Sequence, residues 1–320
     1  MFPTIFIDGI FVLVGEDGSV VTENGTPVVT WAVGKIWVNN HAHIASEKDG
    51  VLLRYLYHYL QTVNVKPLIH SNIPKLTGGD FKALKIPIPP LPVQQEIVRI
   101  LDSFTELTAE LTAELTARRK QYEYYRDELL TFRDDVPRQS LSTICTISAG
   151  GDVPKAAMSK EKTDKYSIPI ISNGMGENAF YGYTSIAKVD GPAVTVAARG
   201  TIGYAAYRDY PFFPIVRLLS AVPRDNTILN TRYLYYCLQD KQYSVPMSGI
   251  PQLTAPELKK IKIPLPSLDM QIYIVSILDR FDAMCNDLTS GLPAEIEARQ
   301  KQYEYYRDKL LNFKSLSRNS

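Results

Sequence analysis

The chain has 320 residues, of which 45% are hydrophobic and 22% are charged. This composition is typical of folded soluble protein and allows two domains, so we expect neither a disordered chain nor a membrane protein. The apolar opening segment is interrupted by Asp8 and has no basic residues ahead of it, which argues against a signal peptide and favours a cytoplasmic location. Cys145, Cys237 and Cys285 form no CxxC pair, so neither a disulfide framework nor a zinc site is expected.

The net charge of +1 is unevenly distributed along the chain. Residues 138–262 contain 15 Lys and Arg against 9 Asp and Glu, whereas residues 93–137 contain 6 against 10. A basic segment beside an acidic one is expected of a chain that contacts nucleic-acid phosphates with one part and protein with another.

The first half of the chain is predicted to contain a globular domain and a long helix. Residues 1–92 are predicted to form the globular domain, of mixed α/β structure. Residues 93–133 are predicted to form a helix of about 60 Å, because apolar residues recur at seven-residue spacing. The two interleaved series are Phe104, Leu111, Arg118, Tyr125 and Phe132, and Thr108, Leu115, Tyr122 and Leu129.

The second half repeats this order. Residues 134–266 are predicted to form a second α/β domain, with strands in GPAVTVAARGTIGYAAY and a helix at RYLYYCLQ. Residues 267–315 are predicted to form a second long helix that is broken or kinked at 291–293, where Gly291 and Pro293 interrupt the pattern and Pro293 starts the final helix. Its apolar series includes Tyr303, Tyr306 and Leu310. We expect the two long helices to pack antiparallel. The alternative is an ordinary pair of core helices with no role in spacing.

The two halves are copies of one unit. RRKQYEYYRDELLTF at Arg118 recurs as RQKQYEYYRDKLLNF at Arg299, displaced by 181 residues. LKIPIPPLPVQQEIVRILDSF at Leu84 recurs at Ile261, displaced by 177, and RYLYHYLQ at Arg54 recurs at Arg232, displaced by 178. Residues of about 140–180 have no counterpart ahead of residue 1, so the first domain is expected to be incomplete at its amino-terminal side.

Two variable globular units, each followed by a KIPxPxL segment and a helix ending in KQYEYYRD, resemble the specificity subunits of type I restriction-modification systems. The resemblance covers essentially the whole chain. It implies α/β target recognition domains that alternate with antiparallel coiled-coil helices, read a bipartite double-stranded DNA target and have no catalytic site. It also implies two methyltransferase subunits and restriction subunits as partners, with S-adenosylmethionine, ATP and Mg bound by those partners and no cofactor here.

The tetrapeptide TAEL occurs at Thr108–Leu111 and again at Thr112–Leu115. It resembles the subgroup of these subunits in which the number of such repeats sets the spacing of the two half-sites. The alternative is an ordinary stretch of good helix formers. The resemblance assigns the helical seam or the methyltransferase contact to Leu111, Leu115, Tyr122, Tyr125, Leu129, Tyr303, Tyr306 and Leu310.

Candidate DNA contacts in the second domain lie in predicted loops. The turn AARGTIG would let the backbone approach DNA while Arg199 reaches a guanine edge or a phosphate, with an ordinary exposed turn as the alternative. A lysine-rich loop is suited to phosphates, or is a solvated charge run. The candidates are Arg199, Gly200, Thr201, Lys155, Lys160, Lys162, Asn173, Tyr181, Ser248 and Gln252.

In the first domain, VGEDGSV aligns approximately with AARGTIG, so that Gly18 corresponds to Gly200. The segment VNNHAHI offers Asn40 and His41 as base-reading candidates. Its HxH spacing is also compatible with a metal, but no third ligand is evident and we predict none.

Two other functions are compatible with the pattern. One is a coiled-coil adaptor whose globular ends bind protein. The other is a silent, recombining specificity cassette without independent activity. Binding to duplex DNA that weakens with salt would discriminate the DNA reader from the adaptor.

Overall fold

The computed structural model describes residues 6–69, 74–239, 241–243, 251–287 and 289–313. The first half of the chain contains three strands, two short helices and one long helix. They are β1 (Phe6–Gly15), β2 (Val29–Trp37), β3 (Ala42–Ala45), α1 (Leu53–Leu60), α2 (Gly78–Ala83) and α3 (Leu91–Leu130). No helix among these described residues, or among those that follow, is long and apolar enough to cross a membrane.

The second half begins with strands and ends with helices. Its first elements are β4 (Arg138–Ser140), α4 (Leu141–Ile144), β5 (Cys145–Ala149), β6 (Met158–Ser159), β7 (Ile168–Ile171), β8 (Phe180–Thr184) and β9 (Ala193–Val196). They are followed by β10 (Ala205–Arg208), β11 (Phe213–Pro214), β12 (Leu219–Pro223), α5 (Thr231–Leu238), α6 (Ala255–Lys260), β13 (Lys262–Pro264), α7 (Leu268–Asn286) and α8 (Leu292–Leu311).

These elements form two compact units whose limits differ from those of the sequence repeats. The first unit comprises Met1–Thr116 together with Asn286–Ser320, and the second comprises Ala117–Cys285. Helix α3 therefore begins in the first unit and ends in the second, and α8 belongs to the first unit. Each unit is completed by the tail of the other sequence repeat.

The first unit contains an antiparallel sheet in the order β2-β1-β3. Alternate residues of a strand point to the same face, so Val12 and Val14 share one face, and both are fully buried. They pack with Leu53 and Leu60 of α1 and with Leu76. This small core places the turns at the ends of β1 and β3 next to one another.

The second unit is built around an antiparallel sheet in the order β10-β9-β12-β5. All four residues of β9 are buried, which is the pattern of a strand covered on both faces. A second sheet has the order β11-β7-β8-β6, and β13 pairs with β4. Cys145 lies in the core of this unit, so at least this cysteine is a packing residue.

Strand register relates the two units. Val14 of β1 pairs with Val29 and His43, and Val196 of β9 pairs with Ala205 and Leu219. Strands β1, β2 and β3 therefore correspond to β9, β10 and β12. Strand β5 has no counterpart among the described residues of the first unit.

In each unit a buried glutamine joins the long helix to the segment that precedes the short helix α1 or α5. Gln94 accepts a hydrogen bond from the Leu52 amide at 2.9 Å and donates to the carbonyls of Gly50 and Pro89, at 2.9 and 2.7 Å. Its repeat equivalent Gln271 makes the same three bonds, to Asn230, Ile228 and Pro266. One acceptor in each set, the carbonyl of Pro89 or Pro266, lies in the proline-rich segment ahead of the long helix.

A second repeated contact joins α1 to α3 and α5 to α7. Arg54 pairs with Asp102 at 2.7 Å, and Arg232 pairs with Asp279 at 2.7 Å. The buried His58 donates from Nε2 to the same Asp102, and its Nδ1 lies 3.1 Å from the Tyr303 hydroxyl. Burial lowers the pKa of His58 to about 4, although Asp102 opposes this shift.

Long helices pack antiparallel within each unit. In the second unit Tyr125 of α3 stacks on Phe281 of α7, with ring centroids 5.5 Å apart. In the first unit Tyr306 of α8 stacks on Phe104 of α3 at 5.3 Å. Because the tyrosines are repeat equivalents, as are the phenylalanines, this is one contact made twice. Tyr122 and Tyr303 are buried beside these stacks, and Leu129 and Leu310 are partly buried.

The described residues between α7 and α8, which are 287 and 289–291, are not helical. Helix α7 ends at Asn286, and α8 begins at Leu292 after Gly291, whose backbone is extended. Pro293 lies in the first turn of α8, where its missing N–H costs no hydrogen bond. The predicted second long helix thus consists of two helices, α7 and α8.

Candidate nucleic-acid interface

The turn between β9 and β10 presents Arg199 at its tip. Gly200 has φ +69° and Gly203 has φ +89°, backbone conformations that glycine adopts without strain. At Gly203 a Cβ would also lie 2.8 Å from the ring of Tyr243, so this turn has no space for a side chain there. The predicted strand–turn–strand is thus present, and the glycines give it its shape.

Arg199 is held by a residue distant in sequence. Its Nε and one terminal nitrogen donate to Oε1 of Gln252, at 3.0 and 2.7 Å. The backbone keeps these residues adjacent, because the Leu253 amide donates to the carbonyl of Ala198 at 2.9 Å. Among the described residues, neither the second terminal nitrogen of Arg199 nor the amide nitrogen of Gln252 has a hydrogen-bond partner, so both can donate to a ligand.

Asn173 fastens this turn to its neighbours. Its Oδ1 accepts from the Ala198 amide at 2.7 Å, and its Nδ2 donates to the Val216 carbonyl at 2.6 Å. The Thr201 hydroxyl donates to the carbonyl of Asn173 at 2.7 Å. Three candidates from two separate loops, Asn173 from one and Arg199 and Thr201 from the other, therefore belong to one cluster, in which Asn173 acts as a positioning residue.

The cluster borders a cavity of about 310 Å³ that we call the arginine notch, lined by Gly150–Val153, Arg199 and Val216–Arg217. Gly150 closes its floor: a Cβ there would lie 2.7 Å from the Pro214 carbonyl carbon. The amides of Val216 and Arg217 donate to the carbonyls of Gly151 and Gly150, at 2.9 and 3.0 Å. Backbone contacts that admit only glycine thus fix the shape of the notch.

The arginine notch is electropositive. Arg217 is exposed, and its guanidinium has no hydrogen bond or ion pair with the residues that the structure describes. Asp152 is the carboxylate among the lining residues. Lys188 adds a further cation, because its Nζ lies 3.2 Å from the position a Cβ would take on Gly151. Two guanidiniums in one small cavity favour binding of a hydrogen-bond acceptor.

The remaining candidates of the second unit lie apart from this cluster. Lys160 donates to the Tyr181 carbonyl at 2.9 Å, and its Nζ is 4.0 Å from the centroid of that ring. Lys162 lines a different cleft, which also includes Phe180 and Arg208. Lys155 is exposed in a single 3-10 turn. Ser248 lies outside the described residues.

An equivalent site exists in the first unit, and we call it the acid–histidine site: Asp17, His41 and Lys75. The Leu76 amide donates to the Glu16 carbonyl at 2.8 Å, matching the bond between Leu253 and Ala198. Gly18 has φ +74°, close to that of Gly200. From the strand register, Asp17 then corresponds to Arg199, Lys75 to Gln252 and His41 to Arg217.

The chemistry of the acid–histidine site differs from that of the arginine notch. His41 pairs through Nδ1 with the carboxylate of Asp17, and Glu16 pairs with Lys75 at 3.1 Å. His43 donates from Nε2 to the Leu76 carbonyl at 2.8 Å and stacks on Phe81. The described residues contain no group of three or more His, Cys, Asp or Glu side chains placed to hold a metal. Asn40 is exposed beside His41.

Sequence reasoning missed Arg217, Lys188 and Lys75. Arg217 precedes β12 in a segment with no turn-forming residues, so nothing local to it indicates a site. Arg217 and His41 are equivalent positions 176 residues apart. This equivalence follows only from strand register, because the loops of the two repeats differ in length. The tandem repeat offered a signal, but reading it required the three-dimensional pairing of the strands.

Comparison with known proteins gives a consistent result. The profile of the family described as the type I restriction modification DNA specificity domain matches residues 6–118 and 134–298. A type I restriction enzyme specificity subunit of Haemophilus influenzae is 39% identical, over 96% of this chain and 83% of that protein. The EcoR124I/EcoR124II specificity subunit of Escherichia coli is 34% identical, over 83% of this chain and 72% of that protein.

Solved structures share the fold. The S subunit of a type I restriction-modification system from M. genitalium aligns with a TM-score of 0.61 at 15% identity, covering 98% of this chain and 85% of that one. A chain from a structural study of type I restriction-modification complex assembly aligns with a TM-score of 0.60 at 16% identity, covering 96% and 83%. At this level of identity the likeness establishes the α/β fold with long helices.

Proposed function

Because this chain belongs to the type I restriction-modification DNA specificity family, we propose that it recognises a bipartite sequence in double-stranded DNA, one half-site with each unit. The observation that carries this proposal is the pair of equivalent sites described above. Both are built on the same strands and the same backbone hydrogen bond, yet one presents Arg199 and Gln252 and the other Asp17 and His41. The same backbone arrangement that carries different hydrogen-bond donors and acceptors suits the reading of two different sequences.

The side chains at the two sites match the hydrogen-bonding edges of bases. Arginine binds the O6 and N7 acceptors of guanine, glutamine can bind adenine, and a carboxylate accepts from the amino group of cytosine. The excess of basic residues in 138–262, which includes Lys155, Lys160 and Lys162, supplies the phosphate contacts that orient a protein on a duplex.

We propose that the long helices dock two methyltransferase subunits, through which restriction subunits join. Repeat-related residues are exposed on the helices of both units. Tyr124 and Met270 are 63% and 45% exposed in the second unit, and their equivalents Tyr305 and Val93 are 59% and 44% exposed in the first. Two similar apolar surfaces suit two copies of one partner.

In this proposal the chain itself is not catalytic. Its sequence has no GxxxxGK[ST] phosphate loop and no NPPY-like methyltransferase motif. Methyl transfer, cleavage and ATP use, with S-adenosylmethionine and Mg, are assigned to the partner subunits. The chain's role is to select the DNA segment on which they act.

The test is co-expression of the intact chain with a type I methyltransferase subunit from the same genome. We expect co-purification, a bipartite methylation motif in the DNA of the host cells, and duplex binding that weakens steeply with salt. A complex that binds DNA without salt dependence and yields no motif would contradict the proposal and favour the protein-binding adaptor.

A further inference from the structure

We infer that Arg217 is a specificity-determining residue that reads the edge of a guanine in the half-site of the second unit. This inference rests on the proposed function and adds a residue and a base to it. It depends on three features of the arginine notch: the backbone at Arg217, the freedom of its guanidinium, and its place in the repeat.

The backbone at Arg217 is in a conformation that is energetically unfavourable for arginine. The turn Ile215–Leu218 closes with a hydrogen bond of 3.0 Å from the Leu218 amide to the Ile215 carbonyl. Its central residues Val216 and Arg217 have φ +52° and +61°, in the left-handed region. Turns of this kind are built most easily from asparagine and glycine. A β-branched residue followed by arginine is strained there, and such strain is found mainly at functional sites.

The turn is held rigidly while the arginine is left free. Val216 donates to Gly151 and accepts from Asn173, so the peptide is fixed on both sides. The guanidinium of Arg217, by contrast, has no partner among the described residues, although it lines the same cavity as Arg199. A fixed backbone with a free planar donor is the arrangement expected of a group that binds its acceptor in another molecule.

The ligand is better identified as a base than as a phosphate. A phosphate contact needs charge and tolerates lysine, and exposed lysines are present elsewhere in this unit at 155, 160 and 162. The arginine notch is instead built from a strained turn and from backbone contacts that only glycine allows. A phosphate contact needs only a nearby positive charge and would not require this geometry. Two donors in a planar fork match O6 and N7 of guanine. In the first unit the equivalent position is His41, which would read a different base.

The experiment uses the complex of the intact chain with its methyltransferase subunit and duplexes containing its own methylation motif. The probe is 7-deazaguanine, which lacks the N7 acceptor, placed at each guanine of one half-site in turn. We expect one position to weaken wild-type binding by roughly 5- to 150-fold, the range for loss of a good bidentate contact. Arg217→Ala should weaken binding similarly and become insensitive to that substitution.

Two further variants separate base reading from phosphate binding and from folding. Arg217→Lys keeps the charge but not the planar fork, so it should bind the native duplex more weakly than the wild type does. Because lysine can also donate to guanine, the deciding readout is the response to 7-deazaguanine. Wild-type affinity in Arg217→Lys on both the native and the 7-deazaguanine duplex would overturn the inference in favour of a phosphate. Arg217→Gly relieves the left-handed strain, so it should raise the unfolding temperature while losing the discrimination.

Failure of the two proposals would look different. If the wild-type complex shows no sequence preference at all, the proposed function falls and this inference falls with it. If the wild type has a preference that Arg217→Ala leaves unchanged, or if the half-site of the second unit contains no guanine, only the inference about Arg217 is wrong.

Discussion

At the scale of single residues, the two units differ at one buried position where a histidine in the first unit replaces a tyrosine in the second. His58 and Tyr236 are repeat equivalents, and each contacts the aspartate that pairs with the arginine of the same unit. His58 titrates near physiological pH in an unfolded chain, whereas a tyrosine does not. This single difference should give the first unit a dependence on pH that the second unit lacks.

We predict that acid destabilises the first unit through His58. Burial, together with Arg54 and Arg307, lowers its pKa to about 4, against the opposing effect of Asp102. The unfolded chain then takes up a proton first, so the free energy of unfolding falls as pH drops from about 6.5 towards 4, by about 1–2 kcal/mol at pH 5. Urea unfolding at pH 7.5 and 5.0 measures this.

His58→Gln is the control, because a glutamine amide still donates to Asp102 but does not titrate. The variant should lose less stability between the two pH values than the wild type. Equal losses in both proteins would show that other groups cause the acid sensitivity.

At the scale of elements, the start of each long helix depends on its buried glutamine. We predict that Gln94→Ala lowers the free energy of unfolding by about 2–4 kcal/mol, because it leaves the Leu52 amide and two carbonyls without partners. The neighbouring Gln95→Ala, at an exposed position of the same helix, should change it by less than about 0.5 kcal/mol. Thermal or urea unfolding compares them, and equal effects would refute a structural role for Gln94.

The TAEL repeat is the second element-scale case. Thr108, Thr112 and Thr116 each donate a side-chain hydrogen bond to the carbonyl four residues earlier, so each repeat adds one self-contained helical turn to α3. We predict that deleting Thr112–Leu115 shortens α3 by about 6 Å and changes the spacer of the target by one or two base pairs.

Methylome sequencing of cells carrying the deletion gives the result directly. Both half-site sequences should remain as in the wild type. Altered half-sites with an unchanged spacer would contradict the role of α3 as a spacer.

At the scale of the whole molecule, the last helix of the chain belongs to the same compact unit as the first domain. Tyr303 and Leu311 come from the last helix of the chain and lie in the core of the first unit, only 8% and 4% exposed. Deletion of the chain from Asn286 onward should remove about 3–6 kcal/mol of apolar burial from that unit. Hydrogen exchange should then become faster in α1 and stay unchanged in α5. Faster exchange in α5 instead would contradict this division.

Much of this organisation could be predicted from the sequence, and the rest could not for identifiable reasons. The KQYEYYRD repeat predicted the long helices and their antiparallel seams, because seven-residue spacing is a local property. It could not show that Tyr303 packs against the first domain, which is a long-range contact. The loop of Arg199 was predicted from its glycines, but Arg217 was not, since its role depends on Gly150 and Asn173 far away in sequence.

The central claim is that each unit reads one half of the target through its own site. The most direct measurement is the methylome of cells that express the methyltransferase with one of two variants, Arg199→Ala/Arg217→Ala or Asp17→Ala/His41→Ala. Each variant should change or relax one half of the motif, a different half in each case, and leave the other half intact. Loss of both halves in either variant, or an unchanged motif in both, would contradict the account.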